Sequence, residues 1–229
     1  MTRTDVAATD DIIARLVRDL RPVRRLAPPA TRAATWLLGV AILAVVVAST
    51  ANLQAAWARE TATPDMAWSV IGSVLTLVTA TLAAFAASVP GRSRLWWFLP
   101  APAVALWLGA SGAGCLRTTL DLLSIHRATL FDALRECLPF ILGMSLPLAL
   151  TLGWMLRRAQ PLSPGPVTVL GGLASASGAA SLLWLVHPFD VSAVDVAVHT
   201  LAVLTVVVTA RAMATRLTPA FSRNGPIPA

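Results

Sequence analysis

Residues 34–57, ATWLLGVAILAVVVASTANLQAAW, decide the fold. No charged side chain interrupts these 24 positions, which are dominated by alanine, valine and leucine. About 20 such residues wound as a helix cross the roughly 30 Å hydrocarbon core of a bilayer. Trp36 and Trp57 fall where interfacial belts place aromatic rings. A cleavable signal peptide has an apolar core of only about 7–15 residues near its start. This run is longer and begins after residue 33, so it reads as a retained helix, although Ala56-Trp57-Ala58 matches a small-x-small cleavage pattern.

Working outward from that run, apolar stretches recur at Met66–Val89, Leu95–Cys115, Cys137–Leu156, Val167–His187 and Val194–Met213. Proline, glycine and arginine clusters separate them, among them Pro90-Gly91-Arg92-Ser93-Arg94 and Pro161 to Pro166. The longest connection is Arg117–Glu136, where leucines 116, 120, 123, 130 and 134 predict a short amphipathic helix on the membrane surface. Gly171, Gly172, Ser175, Ser177 and Gly178 predict close helix packing in the fifth span. The fold class expected is all-α: a polytopic membrane helix bundle of about six transmembrane helices occupying 34–214. It is preceded by an arm, residues 1–33, and followed by a disordered tail, 215–229. At 56% hydrophobic and 13% charged, the composition excludes an ordinary soluble domain.

Charge orients the bundle. All 18 basic residues are arginine, and the net charge is +7. Fourteen of them fall in the arm, the second and fourth connections and the C-terminal end; four fall in the remaining connections. By the positive-inside rule both termini are cytoplasmic, in a multi-pass membrane protein. Because the arginines flank apolar runs, they read as topology determinants, and no nucleic-acid partner is expected. No span interior holds a carboxylate pair, lysine or arginine, which argues against a pump or secondary transporter. Phosphate-binding loops, Gly-x-Ser-x-Gly elbows and HExxH pairs are also absent from the sequence, so no catalytic residue and no enzyme is expected.

Two constellations remain. Within Asp10–Pro29, DDIIARLVRDLRPVRRLAPP, residues Ile12, Ile13, Leu16, Val17 and Leu20 repeat at helical spacing, with Asp10 and Asp11 suited to the cap and first turn. Arg15 and Arg18 lie on the other faces, and Arg21, Val23, Arg24 and Arg25 follow around Pro22. Pro28-Pro29 separates this short helix from the membrane, so docking into a groove of a partner protein fits better than lying on anionic lipid. The second constellation is Cys115 and Cys137, at the end of one span and the start of the next, with His187 ending the fifth span. Packing, a disulfide and a soft-metal site (zinc, copper(I) or cadmium on Cys115, Cys137 and His187) are all open readings. No resident cofactor is expected beyond a soft metal held transiently by the cysteine pair.

Several segments together resemble the NrsF-type proteins, six-span negative regulators of extracytoplasmic-function sigma factors. They are Leu20-Arg21-Pro22-Val23-Arg24-Arg25-Leu26 with Pro28-Pro29, Ser88-Val89-Pro90-Gly91-Arg92-Ser93, Cys137-Leu138-Pro139-Phe140, Ser145-Leu146-Pro147 and His187-Pro188. The resemblance implies an anti-sigma factor whose cytoplasmic arm sequesters an extracytoplasmic-function sigma factor and releases it on a periplasmic-side signal. It also implies a sensing role for Cys115 and Cys137. The rival readings are a membrane scaffold and a small transporter or thiol-redox protein. Reversing a two-state bundle from 1:99 to 99:1 takes about 5.5 kcal/mol of differential binding. A structural metal site supplies about 10–16 kcal/mol in total, a disulfide only about 2–4 kcal/mol, so a thiophilic metal is the stronger candidate signal.

Overall fold

In the computed structural model the described residues are 13–15, 17–18, 25–62, 64–120, 127–159, 161, 163–186 and the single positions 201, 204, 205, 208 and 212. For residues 59–62, 114–120, 127–138 and 141 the description extends to the backbone alone. The described elements are helical throughout: α1 (Pro29–Thr50), α2 (Leu53–Ala62), α3 (Pro64–Ala87), a 3-10 turn (Arg94–Phe98), α4 (Ala101–Leu120), α5 (Arg127–Arg157) and α6 (Pro164–Val186).

Four segments are long and apolar enough to cross a membrane: Pro29–Thr50, Pro64–Ala87, Arg94–Ala113 and Pro164–Val186. Among the described residues that count is four where the hydropathy pattern predicts six. The expected fourth span lies within α5, whose first third carries Arg127, Asp132, Arg135 and Glu136. Of the expected sixth, positions 201, 204, 205, 208 and 212 are helical, and the rest lies outside the described residues.

Three further departures have local causes. The first long helix does not reach Trp57. Ser49 and Thr50 turn their hydroxyls back onto the Val46 and Val47 carbonyls, and Ala51 is extended (φ −93°, ψ 153°). Asn52 then accepts from the Ala55 amide at 3.1 Å and opens α2 as a new helix. The Arg117–Glu136 connection is shorter than expected, because α4 continues to Leu120 and α5 begins at Arg127. Finally, α5 is 31 residues long: it contains the expected Cys137–Leu156 span, with Pro139 and Pro147, and begins ten residues earlier at Arg127. Each ring removes one amide donor and crowds the turn before it, a cost that tertiary packing offsets where the helix stays unbroken.

Helix α3 is central. It packs against α6 and α4 along most of its length and meets α1, α2 and the 3-10 turn, while α5 packs against α6. Small residues permit the close approach. A Cβ on Gly72 would sit 2.7 Å from both the Cα and N of Trp107 on α4. On α6, Gly171 and Gly178 accept Leu156 and the pair Leu77 and Leu148 at their open sides. Buried hydroxyls satisfy themselves on their own helix: Thr76 donates to the Gly72 carbonyl at 2.7 Å, Thr81 to Leu77 at 2.7 Å and Ser175 to Gly171 at 2.9 Å. Two hydroxyl pairs cross between helices, Ser69 with Ser111 at 2.9 Å and Ser73 with Ser181 at 3.0 Å. The core is completed by Trp36, Val40, Phe85, Leu148, Leu152, Leu170 and Leu182. Leu38, Ile42, Val45 and Val46 on α1, with Leu146, Leu150 and Trp154 on α5, are exposed on the outside of the bundle. Apolar faces of that extent suit a lipid environment and would be an aggregation liability in water.

Candidate functional site

The arm leads into the bundle through a short non-helical joint. Residues 25–28 are exposed and non-helical, and Pro28 is extended (φ −50°, ψ 146°). Pro29 then occupies the first position of α1, where a missing amide costs nothing and its fixed φ suits the helix. The first backbone bond of that turn runs from the Arg32 amide to the Pro28 carbonyl at 3.1 Å.

Upstream, residues 13–15 and 17–18 are helical and exposed. Ile13 and Val17, four residues apart and therefore neighbours on one helical face, are 52% and 58% exposed. Leu26 is exposed as well, as is Arg25. Of the predicted contact residues, Ile12, Leu16, Leu20, Arg21, Val23 and Arg24 lie outside the described residues. What is seen is an apolar helical pair with arginines nearby, presented away from the core.

Within α1 the structure adds what the sequence reading missed. Arg32, counted there only among the arm's topology-determining arginines, is 8% exposed. Its guanidinium donates to the Met155 carbonyl of α5 and lies over the Phe85 ring of α3, 4.9 Å from the centroid. One turn on, Trp36 donates from Nε1 to Thr151 Oγ1 at 3.2 Å. Arg32 and Trp36 are four apart on α1; Thr151 and Met155 are four apart on α5. The pairing is thus antiparallel and in register. A sequence signal existed, since Arg32 and Trp36 share a helical face that also bears Val40, but the helix had been started two residues too late to include Arg32.

This end of the bundle is ringed by arginine–tryptophan pairs: Arg92 over Trp96 at 5.8 Å, Arg94 over Trp97 at 5.7 Å and Arg158 over Trp154 at 3.8 Å. Ser93 caps the 3-10 turn through the Leu95 amide at 3.2 Å, and Gly91 turns the chain before it with φ 78°, a left-handed conformation that glycine adopts without strain.

The cysteines fall on different helices. Cys115 is near the C-terminal end of α4, which packs on α3; Cys137 is in the first half of α5, which packs on α6. The backbone at both positions is helical, and their side chains lie outside what is described, as do His187, His126 and His199. Among the described residues no three histidine, cysteine or acidic side chains gather as a metal site.

Fold and site together define an all-helical protein of membrane-spanning character that holds a short amphipathic arm at its arginine-rich end. A family model described as negative regulator of sigma F, NrsF, matches residues 16–218. The chain belongs to the NrsF family. No curated protein and no solved structure matches it.

Proposed function

We propose that this chain is a membrane-bound anti-sigma factor that sequesters an extracytoplasmic-function sigma factor through residues 1–33 and releases it on a signal received at the opposite face. The observation that carries the reading is the family match over residues 16–218, which takes in most of the arm's contact residues and the bundle together. Negative regulation of a sigma factor is the part that family membership supports directly. The exposed Ile13 and Val17 support the arm as the contact, since an apolar helical face held off the core is what a helix-in-groove partner requires. Arg21, Arg24 and Arg25 would meet acidic side chains around that groove. The arginine distribution supports placing both termini in the cytoplasm, at the inner membrane. Such a protein works by binding and release, not by turnover.

Affinity capture of the full-length chain from membranes of its host should recover a sigma factor in stoichiometric yield. Recovery of no sigma factor under any growth condition would overturn the reading.

The signal is assigned to Cys115 and Cys137, with His187 as a third soft ligand. Serine at either cysteine position keeps approximate size but abolishes thiol chemistry. Cys115→Ser and Cys137→Ser should leave the protein inserted at normal level, seen by immunoblot, while blunting cadmium-induced or oxidant-induced release of the sigma factor. A wild-type dose response from the double serine variant would return both cysteines to packing.

A further inference from the structure

The geometry points to Arg32 as the positioning residue that sets the pose of the arm, by tying its root to the end of α5. This rests on the proposed function for its consequence, though not for its structural content. The reason lies in the unpaired carbonyls at the end of a helix. In α5, which ends at Arg157, the last four carbonyls lack an amide four residues ahead within the helix. The chain turns tightly there, and the Ala159 amide goes to the Leu156 carbonyl at 3.0 Å. In a continuing α-helix that amide would have served Met155. The Met155 carbonyl receives the Arg32 guanidinium instead. A charge-assisted bond to a carbonyl at the negative end of a helix is the favourable case for both partners.

Three features make this contact more than packing. Arg32 stands four residues after Pro28, at the first turn into which the extended joint feeds. It touches α3 and α5 at once, through Phe85 and Met155, so that the root of the arm is held by two helices other than its own. Trp36 repeats the tie to α5 one turn deeper through Thr151. Thr151 Oγ1 in turn donates to the carbonyls of Pro147 and Leu148, at 2.9 and 3.0 Å. The tie therefore ends on the turn that begins at Pro147, in the helix that carries Cys137. Displacing the end of α5 removes the partner of Arg32 and frees the joint, and the arm leaves the orientation in which it holds its partner.

The test uses the full-length chain in lipid, with Cys115→Ser and Cys137→Ser as background and spin labels at Ala27→Cys and Ala159→Cys. The parent should give one narrow interlabel distance. Arg32→Met should broaden it, and Arg32→Lys, which keeps a cationic donor, should restore most of the narrow population. Trp36→Phe keeps the ring but loses the donor; it should broaden the distribution by a smaller amount, and it serves if Arg32→Met fails to insert. In the otherwise wild-type chain, Arg32→Met should lower captured sigma factor about tenfold at equal membrane level, the upper part of the range for residues that couple two sites. A narrow distribution in both Arg32→Met and Trp36→Phe would overturn the assignment, as would a broad one with undiminished capture. If the parent captures no sigma factor, the anti-sigma reading fails, whereas the distance measurements still judge whether Arg32 positions the arm.

Discussion

Leu16→Asp in the full-length chain is expected to release the sigma factor and raise transcription from its promoters to nearly the level seen without this protein. Leu16 lies three residues from Ile13 and one from Val17, both helical and exposed. On the proposed reading the helical face of Ile13 and Val17 enters the groove of the partner, with Leu16 between them in sequence. An aspartate placed there brings an unpaired carboxylate into an apolar contact, which costs on the order of 3 kcal/mol or about a hundredfold in affinity. Membrane insertion should not change, because position 16 precedes α1. The measurement is sigma-dependent reporter output, normalised to the level of the membrane protein. Full repression by the aspartate variant would show that the inhibitory contact lies elsewhere.

The second large effect is on the bundle. Gly72→Ala should destabilise it by about 1–3 kcal/mol, because the new Cβ meets the Trp107 backbone and no rotamer can relieve a backbone clash. Helices α3 and α4 must then separate, which also strains the Ser69–Ser111 pair that bridges them nearby. In detergent the melting temperature should fall by several degrees, at about 2–4 °C per kcal/mol for a chain of this size. Gly39→Ala is the control. Nothing lies within 4 Å of its added methyl, so the same substitution in another span should be neutral or slightly stabilising. Equal losses at the two positions would show that the α3–α4 approach does not govern the result.

Hydropathy alone located α3 and α6 to within a few residues, because an uncharged run of 20 or more positions has few alternatives. It overran α1 at Ala51-Asn52 for a physical reason. The break is made by hydroxyls and an amide bonding to backbone, and Ser49, Thr50 and Asn52 barely lower the apolarity of a long window. Arg32 was misjudged for a related reason. Counting arginines gives the side of the membrane but not the direction of a guanidinium, and this one turns inward to a carbonyl 123 residues away in sequence. The arm's amphipathic pattern was legible in the sequence, and Ile13 and Val17 display it. The exposure of that face was not, since it depends on the extended joint at Pro28. The helix through Pro139 and Pro147 was expected as the span Cys137–Leu156, but its extension back to Arg127 was not, because Arg127, Asp132, Arg135 and Glu136 interrupt the apolar run.

The length of α5 has a mechanical consequence. Its 31 residues make a rod of about 46 Å, some 15 Å more than the hydrocarbon thickness. Met155 is level with the root of the arm, so the excess lies toward the Arg127 end as a stalk of nearly three turns. With Pro147 as fulcrum, the long limb to Arg127 measures about 30 Å and the short limb to Met155 about 12 Å. A sideways push of about 5 Å on the stalk then moves the other end by about 2 Å, which is more than a hydrogen bond survives. A force on the Arg127 end would arrive at the Met155 end multiplied about two and a half times, by the ratio of the limbs.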